Sequence, residues 1–345
     1  MNKNKKHILV TGAAGFIGSA FVRIALEKNY QVTILDAFTY AGHMENLEDI
    51  LKPGVCDLVK GDIRDFAIVD KLMSENKFEG LLNFAAESHV DNSISGPKAF
   101  IETNILGTFN LLEVARKHWA QWPEALKQAF RFLHVSTDEV FGELGATGKF
   151  SETTAYSPNS PYSASKAGSD HLVQAWHHTY GLPTVITNCS NNYGPRQYPE
   201  KLIPLMIKNA LLGKPLPVYG KGQNIRDWIH VEDHAQGVML AFEKGQAGQS
   251  YCFGGNSERN NLEVVKTICA VLDDMSPRGD GKKHEEGIQF VTDRAGHDFR
   301  YAIDDSFAQS ELGFERRYRN FEEGLRQTVR WYLDNQDWVQ RVLAD

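Results

Sequence analysis

Tyr162 and Lys166 stand four residues apart in a stretch of helical pattern that follows Pro161. That spacing places both side chains on one helix face, one turn apart, and proline suits a first turn. A lysine ammonium so placed favours the phenolate and lowers the tyrosine pKa, which makes Tyr162 a usable general base for a hydroxyl. A second reactive run, Ser136-Thr137-Asp138-Glu139-Val140-Phe141-Gly142, ends a β-like segment. Two adjacent carboxylates can act as acid and base if their repulsion keeps one protonated. Neighbours on a strand face opposite ways, so both reach one substrate only if the strand has already ended, which a turn at Gly142 permits.

The third feature is Ile8-Leu-Val-Thr-Gly12-Ala-Ala-Gly15-Phe-Ile-Gly18, a β-like run, a glycine-rich turn and a helix start. Glycines let a backbone turn tightly and approach a pyrophosphate, whose charge then rests on helix N-terminal amides. The spacing is G-x-x-G-x-x-G rather than G-x-G-x-x-G, so the loop alone is weak evidence. Asp36 strengthens it by ending the second β-like run, where a carboxylate accepts from a ribose 2′-hydroxyl and repels a 2′-phosphate. NAD is therefore expected over NADP. Asp62, after the third run, reads either as an adenine contact or as a helix N-cap.

These residues need a scaffold, and the first half of the chain supplies its pattern. β-Branched runs at 7–11, 31–36, 56–60, 80–84, 130–136 and 184–188 alternate with helical stretches near 16–28, 65–76, 97–118 and 161–180. Such alternation predicts an α/β fold, a doubly wound parallel Rossmann sheet with ligands beyond the strand carboxyl ends. After about residue 190 Gly, Pro and Asn punctuate the chain, and 277–287 reads as an exposed loop. The expected organisation is an NAD-binding domain over 1–190, receiving part of 222–248. Residues 191–345 mainly form a smaller, interleaved substrate-binding domain.

A length of 345 residues accommodates both domains. The net charge of −7 argues against a protein that coats nucleic acid. Nowhere do 18 apolar residues run together, so no membrane span is expected. Cys56, Cys189, Cys252 and Cys269 lie far apart with no C-x-x-C pair, which fits reduced thiols in a cytoplasm. The start at Met1–Lys6 superficially resembles a secretory n-region, but Gly12, Gly15, Gly18 and Arg23 interrupt the apolar run behind it.

The motifs together resemble the extended short-chain dehydrogenase/reductase family and, within it, the dTDP-glucose 4,6-dehydratases. The resemblance rests on 11–18, Asp36–Gly42, Asn83-Phe-Ala-Ala-Glu-Ser-His-Val-Asp91, Ser136–Gly142, Pro161–Lys166, Asn188–Pro195, Pro199–Pro204, Arg226-Asp-Trp228 and Asp293–Asp298. It implies that Tyr162 deprotonates a sugar 4-hydroxyl oriented by Thr137 while NAD takes the C4 hydride. Glu139 then removes the C5 proton, Asp138 protonates the departing C6 hydroxyl, and the hydride returns to C6. It implies NAD contacts from Gly12, Gly15, Phe16, Ile17, Gly18, Asp36, Thr39, Asp62, Ile63, Ala85, Ala86, Thr103, Tyr162, Lys166 and Asn192. Ser88, Thr137 and Asn191 would touch the sugar. Lys201, Leu202, Pro217, Val218, Tyr219, Arg226, Asn261, Arg294 and His297 would form the nucleotide-diphosphate pocket. A homodimer built by helices near 97–118 and 161–180 is implied too. Phe141, Arg196, Ala295 and Asp36-Ala-Phe depart from the family pattern, which leaves thymidine versus uridine open; UDP-glucose and 4-epimerisation are the alternatives.

Other chemistries fit less well. Ser163-Ala-Ser-Lys166 matches S-x-x-K, but the Ser-Asp-Asn and Lys-Thr-Gly partners of serine acyl-enzymes do not occur. His230 and His234 are an i, i+4 pair without H-E-x-x-H or an obvious third ligand, so no metal is expected. A catalytically silent NAD-binding regulator would not need Thr137, Asp138, Glu139, Tyr162 and Lys166.

Overall fold

The computed structural model describes residues 5–293 and 298–344, so Arg294, Ala295 and His297 lie outside the described residues. Twelve strands occur among these residues: β1 His7–Thr11, β2 Gln31–Asp36, β3 Cys56–Lys60, β4 Gly80–Asn83, β5 Arg131–Val135, β6 Thr184–Cys189, β7 Asn191–Tyr193, β8 Leu216–Tyr219, β9 Ile225–His230, β10 Ser250–Phe253, β11 Glu258–Asn260 and β12 Ile288–Val291. Seven form one sheet in the order β10-β6-β5-β4-β1-β2-β3. All its pairings are parallel, with Ile8 opposite Val32 and Val10 opposite both Ile34 and Leu82.

Side-chain alternation along these strands loads two apolar layers. Ile8, Val10, Val32, Ile34, Leu82 and Leu133 enter one core, while Leu9, Leu35, Leu81, Phe132 and Ile186 enter the other. Burial on both faces explains why the strands read as continuous apolar runs rather than alternating ones. Helices Phe16–Glu27, Phe66–Glu75 and Pro161–Tyr180 connect consecutive parallel strands. Helix Val231–Lys244, from far along the sequence, leads into β10 at the sheet edge. The strand order reverses between β1 and β4, which opens a crevice at their carboxyl ends.

The stretch expected as one helix over 97–118 is interrupted. Pro97–Phe100 passes into a π-helical segment, Ile101–Gly107, before regular helix resumes over Thr108–Trp119. Wider π turns recur where side chains are re-aimed for function. Here Asn104 reaches back to Glu87, accepting from its N–H at 2.9 Å and donating to its carbonyl at 3.0 Å.

The remaining chain has its own core, in which Ile203, Met206, Val218, Trp228, Ile268, Phe321, Leu325 and Tyr332 are buried together. Two small sheets accompany it, β11-β9-β7 and β12-β8. The 277–287 stretch is mostly exposed as expected, but His284 is buried and bonds Asp273 at 2.8 Å, which anchors the approach to β12.

Candidate active site

The crevice holds a cleft of about 440 Å³. Its floor is the glycine loop. Gly12 has φ +70°, and a Cβ there would lie 2.5 Å from the Ala85 nitrogen; one on Gly18 would lie 2.4 Å from the Gly12 carbonyl oxygen. Gly15, the N-cap of helix Phe16–Glu27, offers no side-chain cap, so the first amides of that helix are left for an anion. At the end of β2, Asp36 accepts from the Ala14 and Phe38 N–H groups, both at 2.8 Å. Burial pushes its carboxyl up, against these two bonds. Asp62 does not cap the next helix; Asp65 does, accepting from the N–H groups of Ala67 and Ile68. Asp62 instead holds Arg64, which donates at 2.7 Å.

The acid pair depends on how β5 stops. The strand ends at Val135, and Thr137 caps a 3₁₀ turn over Asp138–Phe141, accepting from the Glu139 N–H. Gly142 closes the turn at φ +88°. Because the strand has ended, adjacent Asp138 and Glu139 both line the cleft. Asp138 is only 2% exposed, and its Oδ2 has no hydrogen-bond partner among the described residues. Burial, then Glu139 and Asp227, raise its pKa well above the ordinary carboxylate value, against the pull of Arg226. Its surroundings therefore favour the protonated form, the one with a proton to give.

Helix Pro161–Tyr180 begins with a capping box between Ser160 and Ser163 and carries proline in its first turn. That use of the Ser163 hydroxyl removes it from nucleophilic service. Tyr162 lies 8% exposed and Lys166 3% exposed, and both line the cleft. The expected depression of the Tyr162 pKa is not found. Burial, then Glu139, Cys189 and Asp138, push the phenol up, opposed by a hydrogen bond with Thr137. The Lys166 ammonium donates to the Val135 carbonyl at 2.8 Å.

Of the other residues singled out in the sequence, Phe16, Ile17, Thr39, Ile63, Ala85, Ala86, Ser88, Thr103, Asn191, Asn192, Lys201 and Leu202 line the same cleft. Lys201 donates to the Ser88 carbonyl at 3.2 Å. His234 bonds Asn192 Oδ1 at 3.0 Å, while the His230 ring stacks on Tyr318 at 3.7 Å, so the two histidines serve different partners. Pro217, Val218, Tyr219, Arg226 and Asn261 are not among the lining residues. Arg226 is 5% exposed; its guanidinium stacks on Tyr301 and donates to the carbonyls of Ile225, Asp298 and Phe299 rather than presenting a free fork. Tyr40, Arg64, Glu87, Cys189, Tyr198, Glu200 and Trp228 line the cleft without having been given roles. Tyr40, Glu87, Cys189, Glu200 and Trp228 fall inside the motif runs; Tyr40 and Glu87 also follow strand ends, whereas Cys189 closes β6 and Trp228 lies within β9.

The family model described as GDP-mannose 4,6 dehydratase matches residues 9–328. The chain is 59% identical to the dTDP-glucose 4,6-dehydratase of Xanthomonas campestris pv. campestris, over 97% of this chain and 95% of that protein. It is 53% identical to the dTDP-glucose 4,6-dehydratase of Salmonella typhimurium, over 97% and 95%. Among solved structures, a dTDP-glucose 4,6-dehydratase from Streptomyces venezuelae with NAD bound superposes with a TM-score of 0.88 at 42% identity, covering 97% of this chain and 99% of that one.

Proposed function

The chain belongs to the GDP-mannose 4,6 dehydratase family, and we propose on that footing that it is an NAD-dependent hydro-lyase that dehydrates dTDP-glucose to the 4-keto-6-deoxy sugar. The observation that carries this reading is the pair Asp138–Glu139, brought into one cleft beside Tyr162 by the 3₁₀ turn, with burial raising the Asp138 pKa. A 4-epimerase has no elimination to perform and no need of two carboxyl groups there.

The residues present fit a dinucleotide. Gly12 and Gly18 leave no room for a Cβ, the Gly15 helix end has unspent amides, and Asp36 faces where a ribose hydroxyl would bind. We assign Gly12, Gly15, Phe16, Ile17, Gly18, Asp36, Thr39, Asp62, Ile63, Ala85, Ala86, Thr103, Tyr162, Lys166 and Asn192 to NAD. When bound, NAD supplies the two-electron acceptor that withdraws hydride from C4 and returns it to C6, so no external oxidant is consumed.

The protein's own groups do the proton work. Burial holds Tyr162 as a neutral phenol hydrogen-bonded to Thr137, so it takes the proton of the sugar 4-hydroxyl only as the phenolate, after releasing its own proton to solvent. Oxidation at C4 acidifies the C5 hydrogen, and Glu139 removes it. Asp138 protonates the C6 hydroxyl, so water departs as the C5–C6 double bond forms. Glu139 then returns a proton to C5. Ser88, Thr137 and Asn191 hold the sugar; Ser190 Oγ and Asn191 Oδ1 in the cleft lack hydrogen-bond partners among the described residues and suit its hydroxyls. Lys201 and Leu202 lead toward the flank, where Pro217, Val218, Tyr219, Arg226, Asn261, Arg294 and His297 would take the nucleotide diphosphate. Residues 1–190 then serve mainly NAD, with helix Val231–Lys244 and β10 added, and 191–345 mainly the sugar nucleotide.

Exposed Ile101, Leu106 and Phe109, with Tyr180 on the neighbouring helix, support a homodimer through these helices. Four buried free thiols support a cytoplasmic setting. The test is product mass after separate incubation with dTDP-glucose and UDP-glucose. Loss of water from dTDP-glucose is expected; no loss from either would refute the reaction, and a preference for UDP-glucose would refute only the base.

A further inference from the structure

Beneath the catalytic corner lies a layer of buried polar groups that the reaction leaves unused. Helix Pro161–Tyr180 carries Tyr162, Lys166 and Asp170 at four-residue intervals, so the three share one face. Asp170 is fully buried. Its Oδ2 accepts from the hydroxyls of Ser136 at 2.7 Å and Tyr156 at 2.9 Å. Its Oδ1 lies 3.4 Å from His134 Nε2, and that same nitrogen is 3.3 Å from Lys166 Nζ. The imidazole therefore stands between the ammonium and the carboxylate.

Both nitrogens of that ring have polar neighbours. Asn83 Oδ1 accepts from the Thr11 hydroxyl at 2.7 Å, so its amide N–H faces His134 Nδ1 at 3.1 Å. Nε2 faces the Lys166 ammonium, which can only donate, at 3.3 Å, and the Ser169 hydroxyl, which donates to the Lys166 carbonyl at 2.8 Å, lies 3.1 Å from the same nitrogen. Burial and Lys166 push the His134 pKa down to about 4, so the ring is neutral. Cys189 from β6, Tyr156 from the segment before the helix, and Tyr162 also face this site; burial raises all three, leaving them uncharged. Burial draws down the Lys166 pKa, and Asp170 is the carboxylate that opposes it. A buried ammonium needs such a countercharge to keep its proton.

We propose that Asp170, fixed by Ser136 and Tyr156 and spaced by neutral His134, is the positioning residue that keeps Lys166 protonated toward the cleft. The inference rests on the reading of Tyr162 and Lys166 as the oxidising base pair. Asp170→Asn keeps the shape and an acceptor for Ser136 and Tyr156 while removing the charge. Single-turnover oxidation of dTDP-glucose at C4, followed by near-ultraviolet cofactor absorbance, isolates the base pair from the later acid–base steps. The variant should oxidise about 10- to 100-fold more slowly at neutral pH, with its alkaline limb moved down by about one unit or more. KM should stay within about 2-fold, because no substrate contact is touched. Wild-type rates, or a slowed reaction with an unmoved limb, would overturn the proposal. Tyr162→Phe in the same assay separates the two levels: a wild-type rate there sinks the base assignment. A dead Tyr162→Phe beside a normal Asp170→Asn sinks only this inference. Should Asp170→Asn fail to fold, imidazole nitrogen shifts of the wild-type protein decide. A neutral ring over roughly pH 6 to 9 supports the arrangement, and an imidazolium at neutral pH overturns it.

Discussion

The catalytic corner and the nucleotide flank handle charge in opposite ways. In the corner Thr137, Asp138, Tyr162 and Lys166 are buried, and backbone or side-chain partners fix each of them before any ligand is bound. On the flank Tyr219 is 43% exposed, while Arg226, though buried, spends its donors on the carbonyls of residues 225, 298 and 299. A dry corner is what holds a carboxylic acid protonated and lets small displacements matter to proton transfer. On the proposed reading, a flank that takes a doubly charged diphosphate has to exchange protein contacts for ligand contacts, so it would be finished only by its ligand. The reaction is thus pre-organised where protons move, whereas affinity is assembled on arrival.

Substitutions can break that contrast. Glu139→Gln should lower steady-state turnover by about 10³-fold while leaving C4 oxidation in place, as removal of a general base predicts. Normal turnover would mean that another group takes the C5 proton. Asp138→Asn should lose about 10²-fold in kcat with KM little changed, since the amide has no proton to deliver. On the flank, Tyr219→Ala should raise KM for dTDP-glucose about 10-fold at nearly constant kcat, as the loss of a stacking ring does. A kcat effect as large as that of Asp138→Asn would erase the distinction between the regions.

The smallest effect concerns stability. The Asp138 pKa is raised in the folded protein, so its contribution is fully present below the unfolded value and is lost as pH rises through the folded one. At alkaline pH the wild-type protein therefore bears a penalty that asparagine does not. Relative to wild type, Asp138→Asn should gain Tm by about 1–3 °C on going from pH 5 to pH 8. Calorimetry at both pH values checks the sign; an unchanged or shrinking difference would mean that the carboxyl is not held protonated.

The sheet strands were readable because their apolar runs are local and uninterrupted, and five of the six expected sheet strands begin where the runs do. Cleft residues at strand ends, such as Gly12, Asp36 and Thr137, were readable for the same reason. The acid pair's common direction was not, since it turns on whether β5 stops at Val135 or runs on. Spacing also placed Tyr162 over Lys166 correctly but gave the wrong direction for the phenol. Desolvation is a property of the whole fold, and the ammonium's turn to Val135 is a tertiary choice. His134 and Asp170 gave no signal at all, being single polar residues far apart in sequence that meet only through β5 and its following helix.

Elimination with internal return of the C4 hydrogen is the step on which everything else depends, and one labelled substrate tests it. dTDP-glucose carrying deuterium at C4 should give a product one water lighter that keeps its deuterium at C6, as read by mass and NMR. A product of unchanged mass with deuterium still at C4, or a dehydrated product with the label washed into solvent, would contradict that mechanism.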